Sequence, residues 1–148
     1  PCSGEGTIRS SPKTFIMWNP KVIKKLSRLQ KKLIAFALKC LKVGGSIVYS
    51  TCTHAPEEDE EIVDFALKNF PVKVDVVKLP LKCREGVTSW YNESYHPDVK
   101  KTCRIYPHDN DSEGFFVSKL TLVEEMPLRK EKEEENSEDD KEFDRRAL

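Results

Sequence analysis

Gly44-Gly45-Ser46-Ile47-Val48-Tyr49-Ser50-Thr51-Cys52-Thr53 is the stretch on which the reading of this chain turns. Two glycines end whatever precedes them, and three apolar residues in a row then read as a short buried strand of the parallel-sheet type. That strand runs from Ser46 to Thr51, and the residues after it form a loop at its end. Just upstream, Asn19-Pro20 supplies an N-cap and a first-turn proline. Val22, Ile23, Leu26, Leu29, Leu33, Phe36, Ala37 and Cys40 follow at spacings of three and four, the period of an amphipathic helix that stops at Gly44-Gly45. A helix feeding a buried strand that ends in a loop is a unit of a layered α/β domain.

Further along, Pro56 and an acidic first turn predict a second helix to about Asn69, and residues 72–79 alternate as a strand. Gly114 to Val123, rich in Phe and Val, predicts the last strand, behind the turn-prone Asp109-Asn110-Asp111-Ser112. Residues 80–102 show no clear period, although they hold Gly86, Trp90, Tyr91, Tyr95 and His96. From Glu124 the chain is rich in Lys and Glu with few apolar residues, which predicts a charged, disordered tail over 124–148 after a domain at 1–123.

Two cysteines occupy two loops. Cys2 lies in Pro1-Cys2-Ser3-Gly4-Glu5-Gly6, and Cys52 in Tyr49-Ser50-Thr51-Cys52-Thr53, followed by Pro56-Glu57-Glu58-Asp59-Glu60. Near the end stand Arg104-Ile105-Tyr106-Pro107-His108 and Gly114-Phe115-Phe116-Val117. In this order the segments resemble those of the RNA cytosine-5 methyltransferases of the RsmB, Nop and Sun type, with Asp59 where that family usually has Asn. The likeness runs from Pro1 to about Leu122 and covers only the second half of the family's catalytic domain.

The resemblance implies the C-terminal half of a Rossmann-like, S-adenosylmethionine-dependent methyltransferase fold, with the last two strands antiparallel. It implies methylation of carbon 5 of cytidine in RNA, with tRNA favoured over rRNA. Cys52 then attacks the ring and Cys2 helps release the product. Pro1 belongs to the cofactor side, and Ser3, Gly4, Thr51, Thr53 and His108 to the substrate side. Most of the S-adenosylmethionine site falls outside the resembling segments: the glycine-rich loop, the acidic residues after the next strands, and the Asp before Pro1. The first residue is Pro and not Met, which reads as a truncation, a processed piece or one half of a split enzyme. The N-terminal half, in the same or a separate chain, is the expected partner, and the other reading is a fragment or scaffold that binds RNA or a partner without catalysis. Trp90 and Tyr91 then suit an RNA-facing loop within residues 80–102.

Composition sets the remaining bounds. With 148 residues, 38% hydrophobic and 34% charged, the chain suits one soluble domain, and no apolar run approaches the roughly 18 to 20 residues of a membrane span. No signal-peptide pattern opens it, so the cytoplasm is the default. Five cysteines without a Cys-x-x-Cys pair read as reduced thiols, with Cys40 in the core and no metal site. The net charge is zero, yet residues 1–42 hold ten Lys or Arg against Glu5 alone, a local +9, and residues 124–148 hold six basic and eleven acidic residues, a local −5. A basic segment beside the Cys2 loop attracts a phosphate backbone. Cys52 lies ahead of a helix start that favours a thiolate, provided the carboxylates of residues 57–61 face solvent or cap the helix.

Overall fold

The computed structural model describes residues 1–126. A single 3-10 turn at Glu5–Thr7 and a short helix α1 (Pro12–Met17) lead into α2 (Pro20–Lys39), whose N-cap Asn19 accepts the amide of Lys21 at 2.8 Å. Strand β1 (Ser46–Thr51) follows, then α3 (Glu60–Asn69) and β2 (Val72–Asp75). Three short strands, β3 (Arg84–Glu85), β4 (Ser89–Trp90) and β5 (Glu93–Ser94), organise the stretch that lacks a period in the sequence. A 3-10 turn at Pro97–Lys101, strand β6 (Cys103–Ile105), helix α4 (Pro107–Asn110) and the long strand β7 (Phe115–Leu122) complete it.

Strand β7 is the spine of the sheet. It pairs antiparallel with β1 on one side, Val48 opposite Lys119. On its other side it pairs antiparallel with β2 and then with β6, which carries β3. Strands β1 and β2 therefore run parallel to each other with β7 inserted between them, and the last strand has antiparallel partners as the family resemblance implies. The expectation of a buried, parallel-paired β1 is corrected. Its described partner is antiparallel, it ends the sheet, and Val48 is 66% exposed.

The larger of two apolar clusters lies between the sheet and the two long helices: Ile34 and Leu38 of α2, Ile62, Val63 and Ala66 of α3, and Phe116, Leu120 and Leu122 of β7. Burying such side chains is worth roughly 1.5 to 3 kcal/mol each. Only part of the predicted face of α2 is used. Ile23, Ser27, Gln30, Ile34 and Leu38 are buried, whereas Leu29, Leu33 and Phe36 are 43%, 49% and 72% exposed. Cys40, expected in the core, is exposed, because the helix ends at Lys39 and its C-cap turns outward.

Two further expectations change. Helix α3 starts at Glu60 and not at Pro56, since residues 56–59 form a turn in which the Glu58 and Asp59 side chains are buried. Cys83 and Cys103, expected as reduced thiols, form a disulfide with Cα atoms 5.3 Å apart; the β3–β6 ladder sets Glu85 opposite Cys103 and brings the two segments together. The charged tail expected over 124–148 lies, from residue 127 onward, outside the described residues. Met126 still packs against the core. Among the described residues no helix is long and apolar enough to cross a membrane.

Candidate active site

The loop 1–6 and the loop after β1 lie side by side because glycine allows it. The amide of Gly6 donates to the carbonyl of Cys52 at 2.8 Å, and the amide of Gly114 donates to the carbonyl of Gly6 at 2.9 Å. A Cβ on Gly6 would stand 2.4 Å from the Gly114 oxygen, so only glycine permits this triple backbone contact. The consequence is that Cys2 and Cys52, fifty residues apart, bring their Sγ atoms to 3.0 Å. Both thiols are free and half-buried.

Polar side chains hold the two loops in register. Ser3 Oγ and Thr53 Oγ1 share a hydrogen bond of 2.7 Å, and Thr53 Oγ1 also donates to Glu5 at 3.3 Å. Glu58, fully buried, accepts the amide of Ser3 at 3.0 Å and the Gln30 side chain at 2.8 Å, while the same Gln30 nitrogen donates to the Pro1 carbonyl at 2.8 Å. Thr51 Oγ1 donates to Asp59 at 2.6 Å. Gly4 adopts a left-handed backbone (φ +75°) that turns the Cys2 loop into the following 3-10 turn. Of the substrate-side residues named from the sequence, Ser3, Thr51 and Thr53 are thus engaged internally beside the thiols.

His108 lies elsewhere. Its side chain is 65% exposed, its Nε2 is 3.3 Å from an Arg84 nitrogen, and its ring stacks on Tyr106 with centroids 5.4 Å apart. Tyr106 stacks in turn on His54 at 5.1 Å. His54 is held neutral because burial, and then Arg104, lower its pKa.

The acidic run corrects the expectation that its carboxylates face solvent or cap the helix: Glu58, Asp59 and Glu60 have no exposed surface, and the Asp59 side chain makes no capping hydrogen bond. Arg104 explains how this is tolerated. Its guanidinium, itself 3% exposed, forks onto both oxygens of Glu60, approaches Asp59 at 3.7 Å, and donates to the His54 carbonyl at 3.1 Å. Burial nevertheless pushes Asp59 well above the usual carboxylate range, and Glu58 upward. Nor does a helix start lower the Cys52 thiol. Burial, then the hydrogen bond from Cys2, raise it to about 11. At pH 7 about one such thiol in ten thousand is ionised.

A cleft of about 600 Å³ opens beside the thiols, lined by Pro1, Cys2, Leu33, Ala37, Ile47 and Tyr49 among others. No carboxylate and no glycine-rich loop lines it, so these residues give an adenosyl group an apolar wall but no acidic partner for its ribose hydroxyls. They do not make a complete S-adenosylmethionine site. The sequence reading missed Glu5, Gln30, Glu58 and Arg104 as organisers of the site. Each acts through a partner between 13 and 55 residues away, which no local pattern displays.

The inserted antiparallel strand between two parallel ones and the paired thiols on the loops beside it belong, by the likenesses that follow, to a Rossmann-like methyltransferase fold of which the chain covers part. Residues 1–121 match the family of 16S rRNA methyltransferase RsmB/F, and the chain belongs to that family. The tRNA (cytosine(49)-C(5))-methyltransferase of Pyrococcus abyssi is 48% identical over 120 residues, which are 81% of this chain and 39% of that enzyme. The 25S rRNA (cytosine-C(5))-methyltransferase nop2 of Schizosaccharomyces pombe is 38% identical over 128 residues, 83% of this chain and 21% of that one. A methyltransferase homologue from Pyrococcus horikoshii matches with a TM-score of 0.71 and 32% identity, covering 83% of this chain and 37% of its own. The chain thus spans less than two-fifths of the length of these relatives.

Proposed function

We propose that this chain carries the two-thiol half of an RNA cytosine-5 methyltransferase that acts on cytidine in tRNA. The single observation behind the reading is the 3.0 Å approach of Cys2 and Cys52, in a family whose named relatives are RNA cytosine-C5 methyltransferases. The preference for tRNA rests on the 48% identity to a relative named for tRNA.

In this reading Cys52 passes its proton to a solvent base and its sulfur adds to carbon 6 of the ring. The C–S bond forms as the carbon 5–carbon 6 π pair moves to carbon 5, which becomes the nucleophile. S-adenosylmethionine, if held by the remainder of the enzyme, would supply the methyl for that carbon, its sulfonium S–CH3 bond breaking and the electron pair returning to the departing sulfur. A base then takes the carbon 5 proton, the electron pair restores the double bond, and the C–S bond breaks. Cys2 Sγ, 3.0 Å from the Cys52 sulfur, then donates a hydrogen bond to it as the negative charge returns, and that short distance supports the role. The basic α2 segment beside the Cys2 loop draws the phosphate backbone toward this centre.

The test is a chimera in which residues 1–122 replace the matching segment of the Pyrococcus abyssi enzyme. It should methylate carbon 5 of a tRNA cytidine and lose that activity with Cys52→Ala. A folded chimera that methylates rRNA and no tRNA would redirect the substrate, and one inert on both would remove the reading.

A further inference from the structure

A second cleft, of about 420 Å³, lies outside the thiol site. Its walls are aromatic: Trp18, His54, Trp90, Tyr91 and Tyr106. Two carboxylates line it as well, and both are occupied in fixing the indoles. Glu5 accepts Trp18 Nε1 at 2.6 Å, and Glu57 accepts Trp90 Nε1 at 3.1 Å. Tyr91 sits at the tip of the β4–β5 hairpin with a positive φ of 50°, rare for a bulky residue, and its ring stands 87% exposed beside Trp90.

This cleft continues into a basic hollow of about 390 Å³, with which it shares Pro20, Ile23 and Glu57. Lys24, Arg28 and Lys31 line the hollow. Lys31 is taken by Glu61 at 2.6 Å, but among the described residues neither Lys24 nor Arg28 has a carboxylate partner. Aromatic faces next to unpaired cations are what a single-stranded nucleotide asks of a protein: rings for its base and positive charge for its phosphate. The cleft is also close to the thiols. His54 lies two residues beyond Cys52, roughly 7 Å of extended backbone, and Glu5 joins the two sites by accepting from Thr53 Oγ1 and from the His54 amide, each at 3.3 Å.

We propose that this aromatic cleft, with Lys24 and Arg28 at its rim, is a nucleotide subsite that stacks the base of the residue flanking the target cytidine. The inference rests on the RNA reading above and adds to it a second contact that orders the strand around the thiols. Stacking makes it tolerant of base identity, while the phosphate contacts make it salt-dependent.

The chain has only two tryptophans, and both line this cleft, so its tryptophan fluorescence, selectively excited, reports on the subsite alone. Titrating the full chain with single-stranded oligocytidylate RNA should quench that fluorescence. An abasic ribose–phosphate oligomer should bind more weakly and leave it unquenched. Tyr91→Ala, at an exposed position that does not support the core, should weaken binding by about fivefold or more, with an unchanged circular dichroism spectrum. Lys24→Glu with Arg28→Glu should weaken binding further and flatten its salt dependence. Binding without quenching, or equal binding of the abasic oligomer and of the Tyr91→Ala chain, would overturn the subsite and leave the thiol reading standing. No binding of RNA by the unaltered chain would contradict the RNA reading itself, and the subsite with it.

Discussion

Glu58 accepts the amide of Ser3 at 3.0 Å, so a fully buried carboxylate anchors the loop that carries Cys2. The same charge adds to the burial and the Cys2 hydrogen bond that raise the Cys52 thiol. A strong nucleophile held protonated at rest reacts only when its proton is removed, which guards it against adventitious electrophiles.

Alkylation of Cys52 should therefore be slow at neutral pH. Its rate, read peptide by peptide with iodoacetamide, should climb about tenfold per pH unit from pH 7 and level off only near pH 11, the value to which burial and Cys2 push the thiol. The sign follows from the raised pKa: below it the thiol dominates, and thiolate gains tenfold with each unit of pH. Glu58→Gln should move the plateau downward by removing a negative charge. A plateau for Cys52 at pH 8 to 9 in the unaltered chain would refute the account.

Arg104 faces a different task. It is the counter-charge for Glu60 and for Asp59 at 3.7 Å, all three within the interior. Removing one member of a buried ionic cluster strands the others, so Arg104→Met should cost about 3 to 5 kcal/mol in urea unfolding. Pairing it with Glu60→Leu should recover part of that loss. Unfolding of Arg104→Met within about 1 kcal/mol of the parent would mean that the cluster is not a unit.

The open side of β1 leads to a prediction about association. Val48 is 66% exposed on the end strand, and Leu33 and Phe36 stand exposed on the neighbouring helix at 49% and 72%. Contiguous apolar surface next to a free strand edge favours self-pairing. Sedimentation of the 148-residue chain should show species heavier than the monomer, and Leu33→Glu with Phe36→Glu should reduce them without lowering the melting temperature. A strict monomer, with every amide of β1 protected from exchange, would show this edge already covered.

Much of this architecture was legible because it is local. The Asn19-Pro20 cap, the period of α2 and the Gly44-Gly45 stop predict that helix, and the apolar triplet at Ile47 predicts β1 with its observed bounds. What escaped depends on distant partners. The acidic run reads as a solvated helix start until Arg104, 44 residues from Glu60, is placed against it. Gln30 and Ser27 interrupt an apolar period, yet they are buried; Glu58 and the Pro1 carbonyl, both distant in sequence, accept hydrogen bonds from the Gln30 side-chain nitrogen. Cys83 and Cys103 look unrelated until the β3–β6 ladder sets them together. The two thiols themselves were nameable only through the family's motifs; the spacing of fifty residues says nothing about 3.0 Å.

The division of labour between the thiols is the central claim, and one gel reads it. With the N-terminal half of the enzyme, methyl donor and tRNA present, Cys2→Ser should accumulate a protein–RNA species that survives denaturing electrophoresis, since attack by Cys52 proceeds and release stalls. Cys52→Ser should give no such species and no methylation, because a hydroxyl is a far weaker nucleophile at neutral pH. An adduct that persists in Cys52→Ser and is absent from Cys2→Ser would reverse the assignment and contradict the account.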